Sequence, residues 1–66
     1  MTRIVFPERL QTGDVVLIGR GAVPDHIDRR RTVESVSKEM YGPDFIVRFT
    51  DGTARYYSPN RSVEVE

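Results

Sequence analysis

The residues best equipped for chemistry crowd into one stretch, Asp25-His26-Ile27-Asp28-Arg29-Arg30-Arg31, with Arg20 just upstream. Two carboxylates flank the only histidine, and metal ions accept such ligands. The spacing matches no defined site, however, and no fourth ligand stands close. Cysteine is absent, which removes thiolate ligands, Cys–His pairs and disulfides together. Gly19-Arg20-Gly21 lacks the strand, turn and helix context in which a glycine loop cradles phosphate. Ser58 and His26 are the one nucleophile and base that could pair, and nothing in their positions joins them. A chain this small rarely encloses a substrate pocket. The expectation is a non-enzymatic protein with no cofactor and no metal.

What remains is arginine. Nine of the ten basic residues are arginine, against the single Lys38. Guanidinium groups suit bidentate and stacked contacts better than ammonium groups, although GC-rich coding would raise arginine as well. Arg20, Arg29, Arg30 and Arg31 form a compact basic run that could grip phosphates or an acidic peptide. Asp25 and Asp28 sit among them and offset much of that charge, so a plain solvated loop is the competing reading. Ten acidic residues balance the ten basic ones. That balance speaks against bulk electrostatic binding of nucleic acid, which shows itself as a basic surplus.

These side chains need a scaffold, and 66 residues allow one domain. Pro7, Pro24, Pro43 and Pro59 cut the chain between apolar runs. The pieces are rich in valine, threonine and aromatic residues, which fit a pleated sheet, and no window holds a helical period. Strands are expected over residues 14–18, 32–38, 44–49, 53–57 and 62–65. Residues 1–12 read as an N-terminal extension that can add an edge strand over 3–6, leaving 13–66 as the domain proper. The connections run long loop, medium loop, tight hairpin, short turn. That is the connectivity of an all-β, five-stranded SH3-like small barrel, whose closure would protect bare edges. No apolar run approaches a membrane span and the Met1 end lacks a secretory core, so a cytoplasmic protein is expected.

The hairpin sets the faces. Asp51-Gly52 is a strong signal for a two-residue turn. That turn pairs Thr50 with Thr53, Phe49 with Ala54, Arg48 with Arg55, Val47 with Tyr56 and Phe45 with Ser58. Matching Val33 to Phe49 then brings Glu34 opposite Arg48 and Val36 opposite Ile46. One face becomes the core: Val33, Val47, Phe49, Ala54 and Tyr56, closed by Val15, Leu17, Val63 and Val65. The other carries a charge ladder, Glu34, Arg48 and Arg55, in which Arg55 is uncompensated. Beside it lies an apolar row, Val36, Ile46 and Tyr57. Either Ile4, Val5, Phe6 or Leu10 folds back over that row, or it is open to a partner. Tyr41, before Gly42-Pro43, is a plug or an exposed contact.

Gly13-Asp14-Val15-Val16, Arg31 to Val36, Phe45 to Gly52 and Tyr57-Ser58-Pro59 follow one another in recognisable order. In that order the chain resembles the small actinobacterial proteins of an SH3-like domain-of-unknown-function family. Gly-Asp-Val-Val alone is loosely similar to Tudor-like domains that dock on RNA polymerase. The first resemblance implies a fold and lends no activity; the second implies a partner in the transcription machinery. Three expectations follow. A non-catalytic module binds a protein through Val36, Ile46, Arg48, Arg55 and Tyr57; or it binds nucleic acid through Arg20, Arg29, Arg30 and Arg31 with the sheet-face arginines; or it self-associates as a structural oligomer.

Overall fold

A computed structural model describes residues 2–19 and 28–66. Arg20, Asp25 and His26 lie outside the described residues, as do the metal and glycine-loop readings that depend on them. The described chain is all-β. Its strands are β1 (Arg3–Val5), β2 (Val15–Leu17), β3 (Arg30–Lys38), β4 (Phe45–Phe49), β5 (Ala54–Tyr57) and β6 (Val63–Val65). They form one antiparallel sheet in the order β1-β6-β2-β3-β4-β5. β1 and β5 are its two edges, so the sheet is open.

β1 is the N-terminal edge strand, with Arg3, Ile4 and Val5 beside Val65, Glu64 and Val63. A 3-10 turn, Pro7–Arg9, follows it. Proline suits this entry, where its missing N–H has no partner to lose. The Arg9 N–H donates to the Phe6 carbonyl at 2.9 Å, and the Leu10 N–H to that of Pro7 at 3.1 Å. The turn buries Pro7 and Leu10.

The hairpin differs from expectation by one residue. The Phe49 N–H donates to the Thr53 carbonyl at 2.8 Å and the Gly52 N–H to the Phe49 carbonyl at 3.1 Å. The loop is therefore Thr50-Asp51-Gly52, three residues, with Gly52 at φ 90°. A two-residue turn of the Asp-Gly kind needs positive φ at both positions. Among the described residues only glycines adopt it. The longer loop asks it of Gly52 alone, which has no Cβ to clash. Asp51 instead caps the turn, its Oδ1 accepting from the Thr53 N–H at 2.9 Å and the Thr53 hydroxyl at 2.6 Å. Arg48 consequently faces Ala54, Val47 faces Arg55, Ile46 faces Tyr56 and Phe45 faces Tyr57.

A second one-residue displacement lies in β3. Val33 faces Phe49, as expected, but the next partners are Ser35 and Arg48, then Val36 and Val47, then Ser37 and Ile46. Glu34 is the extra residue of a β-bulge, which bends the strand and increases its twist. Its carbonyl accepts the Thr12 hydroxyl at 3.1 Å. β3 thereby serves two wings, pairing β2 through Arg30 to Thr32 and β4 from Val33 onward.

The core is Leu10, Val16, Val33, Val47, Phe49, Tyr57, Val63 and Val65, with Val5, Ile18 and Val36 packed against it. Val33, Val47, Phe49, Val63 and Val65 occupy their expected places. Ala54 and Tyr56 are exposed, while Val15 and Leu17 are half-buried. The turn shift moves Tyr57 inward in place of Tyr56. On β2, Val16 is the fully buried residue, held between Arg31 of β3 and Val65 of β6.

Candidate functional site

The two shifts divide the expected binding row. Val36 lies opposite Val47 and packs on the core, and Tyr57 is itself core. Ile46 stays on the outer side, half-buried, with Tyr56 across the strand. Aromatic and β-branched residues paired in this way stabilise a sheet locally. Arg48 is also outward-facing, beside Ser35 and Ala54 rather than Glu34 and Arg55. Arg55 shares the Tyr57 side of β5 because side chains alternate along a strand. The five residues therefore do not form one patch, and the Glu34–Arg48–Arg55 ladder is absent.

The arginines entering β3 have intramolecular work. Arg29 donates through Nε to the Ile18 carbonyl at 2.9 Å, and its Nη2 lies 3.7 Å from Glu64 Oε1. Arg30 donates through Nε to Asp28 Oδ1 at 3.1 Å. The Arg30 backbone N–H, which donates to the same Oδ1 at 3.0 Å, and then the Arg30 Nε and the fields of Arg30 and Arg31 hold the Asp28 carboxyl below its ordinary value. Arg31 reaches Asp51 Oδ2 at 3.0 Å through Nε, and its Nη1 donates to the carbonyls of Asp28 and Arg30. Charges satisfied inside the fold attract an outside phosphate weakly. Arg20, the fourth member of that set, lies outside the described residues.

A different constellation gathers at the open side of the sheet. A groove of about 370 Å³ runs between β5 and the β1–β6–β2 wing. Arg55, Tyr57 and Arg61 form one wall, Ile4, Leu17 and Val63 supply apolar surface, and Glu64 stands opposite beside Arg29. Each wall has a local cause. The three-residue turn sends Arg55 and Tyr57 to the groove side. Pro59 interrupts the chain after β5, and the Arg61 N–H donates to the Ser58 carbonyl at 3.0 Å, closing a turn that sets Arg61 at the rim.

The guanidinium groups of Arg55 and Arg61, like those of Arg9 and Arg48, make no hydrogen bond or ion pair with any described residue, unlike those of Arg3, Arg29, Arg30 and Arg31. The Tyr57 ring is buried, and its hydroxyl has no hydrogen-bond partner among the described residues. Burial pushes the phenol above its ordinary value, against the opposing fields of Arg55 and Arg61. The phenol is therefore neutral at pH 7 and available as a donor. Two guanidinium forks and a hydroxyl beside apolar surface can hold a carboxylate while packing the chain attached to it.

Sequence reasoning singled out Arg55 and Tyr57 but assigned them to the wrong neighbours, and it missed Arg61, Ile4 and Leu17 as companions. Arg61 follows Pro59-Asn60, a turn signal that was legible. Nothing local announces that β1 lies alongside β6. Among the described residues no group of three or more histidine, aspartate or glutamate side chains could hold a metal, and no helix is long and apolar enough to cross a membrane. No protein-family model, curated protein or solved structure matches the chain.

Proposed function

We propose that this chain is a non-catalytic, SH3-like interaction module of the cytoplasm that binds an acidic protein segment in the groove beside β5. The observation that carries this reading is the pairing pattern of the arginines. Of the eight described arginines, Arg3, Arg29, Arg30 and Arg31 are engaged by carboxylates of the fold. Arg9, Arg48, Arg55 and Arg61 have no such partner among the described residues, and of these Arg55 and Arg61 share the groove. A small domain gains little from leaving two guanidiniums together beside apolar side chains unless something anionic visits them. The SH3-like assignment is supported by the strand order β6-β2-β3-β4-β5, a long bent β3 shared by two wings, and the short turn before β6. β1 is an addition beside β6. The cytoplasmic assignment rests on the lack of cysteine.

Fluorescence anisotropy with a labelled ten-residue peptide of alternating glutamate and valine tests the reading. The acidic peptide binds, its lysine counterpart does not, and Arg55→Ala with Arg61→Ala weakens binding at least tenfold without changing the unfolding midpoint. Equal binding by the double variant would refute the groove. A single-stranded oligonucleotide binding in the peptide's place, with steep salt dependence, would transfer the site to nucleic acid.

A further inference from the structure

Resting on that reading, we propose that the acidic segment binds by strand addition, joining the free edge of β5 as a seventh strand with alternate side chains entering the groove. The hydrogen-bond register supplies the edge. Antiparallel neighbours alternate between pairs that exchange both hydrogen bonds and pairs that exchange none. Phe49 donates to Thr53. Stepping by two, the Val47–Arg55 and Phe45–Tyr57 pairs are the bonded ones, and Arg48–Ala54 and Ile46–Tyr56 are not. The N–H and C=O groups of Ala54 and Tyr56 therefore point away from β4. Among the described residues β5 pairs with β4 alone, so these four groups meet no other described strand.

The charges select what pairs there. A residue opposite Arg55 on an added strand lies on the groove side, next to Arg55 and Arg61, and an acidic residue is favoured at that place. The residues on either side of it fall on the outer side, against Ala54 and Tyr56, where apolar or aromatic groups pack. The preferred segment is extended, with carboxylates at every second position. A second copy of this chain fits poorly. The β5–β5 register that uses all four outward groups, Ala54 facing Tyr56 of the other copy, sets Arg55 against its own counterpart. β1, the other edge strand, carries Arg3 and no acid. Arg55 thus guards the edge against self-pairing.

Backbone methylation of the probe separates strand addition from simple charge attraction. The glutamate–valine peptide is prepared with N-methyl groups on either its odd or its even amides, since only one set of amides faces β5. One methylated form loses at least tenfold in affinity, and the other binds like the parent. Tyr56→Pro, which removes an outward N–H without touching a β4 hydrogen bond, produces a similar loss. If both methylated forms bind like the parent while the Arg55→Ala, Arg61→Ala variant still weakens them, strand addition is wrong and the charged groove stands. If the unmethylated peptide does not bind, both fail. A concentration-dependent dimer in light scattering that Tyr56→Pro dissolves would give the edge to a second copy and overturn the proposal.

Discussion

Tyr56 and Tyr57 are consecutive in the chain and stand on opposite sides of β5, 62% and 8% exposed respectively. A single residue in the preceding loop decides which is which, because a strand slipped by one position exchanges all its inward and outward side chains. Truncation tests the assignment. Tyr57→Ala opens a cavity in the core that Tyr57 shares with Phe49 and Val63 and costs about 3 kcal/mol, the range for buried aromatic residues. Tyr56→Ala changes stability by about 0.5 kcal/mol or less. Urea unfolding of the two variants measures the difference, and the reverse order would mean the two-residue turn is the true one.

Gly52 carries that turn. At φ 90° a side chain is strained whatever the surrounding space, and a Cβ built there meets nothing within 4 Å. The penalty of Gly52→Ala is thus one of backbone conformation alone, about 1–2 kcal/mol. Gly52→Asn costs less, since asparagine tolerates the left-handed region better than alanine. Equal losses for the two, read by thermal or urea unfolding, would place the strain elsewhere.

Asp51 makes the turn sensitive to acid. Its carboxyl is held below the ordinary aspartate value, first by the Thr53 hydroxyl and N–H and then by Arg31. A group with a depressed folded-state pKa contributes stability that is present above its unfolded value, about pH 4. That contribution disappears as pH falls through the lower folded-state value. The unfolding midpoint therefore declines on acidification below about pH 4, and Asp51→Asn flattens this part of the profile. A variant profile parallel to that of the parent would show that the carboxylate charge is not what the turn uses.

The positions of the strands were legible because proline and glycine punctuate short β-branched runs, and each of the five expected strands lies within two residues of an observed one. Their faces were less so, for two local reasons. Asp51-Gly52 is compatible with loops of two or three residues, and the choice depends on whether Asp51 must adopt positive φ and on which tyrosine the core accommodates. The bulge at Glu34 depends on the Thr12 hydroxyl reaching a carbonyl 22 positions away, which no pattern within β3 announces. These displacements placed Val36 and Tyr57 outside when both belong inside. Arg55 was expected to lack a counter-charge because it opposed Arg48; it has none among the described residues, but it stands opposite Val47 and beside a groove whose other wall comes from β1, β2 and β6.

Arg29 and Arg30 differ in what they hold, despite adjoining one another. Arg30 pairs with Asp28 at a fully solvated site, where such a contact is screened and both side chains remain hydrated. Arg29 is largely covered. Its Nε ties the Ile18 carbonyl at the end of β2, and its charge lies beside the half-buried Glu64 of β6, so one side chain links the loop before β3 to two strands. Arg29→Ala takes the donor from Ile18 and a cation from beside Glu64, which costs about 1–3 kcal/mol. Arg29→Lys recovers part of that loss through its charge but cannot reproduce the fork that reaches both groups. Arg30→Ala leaves the urea midpoint where it was. Were the two alanine variants equally stable, and both weaker for an oligonucleotide, the basic run would be facing outward as a phosphate grip rather than fastening β2 and β6.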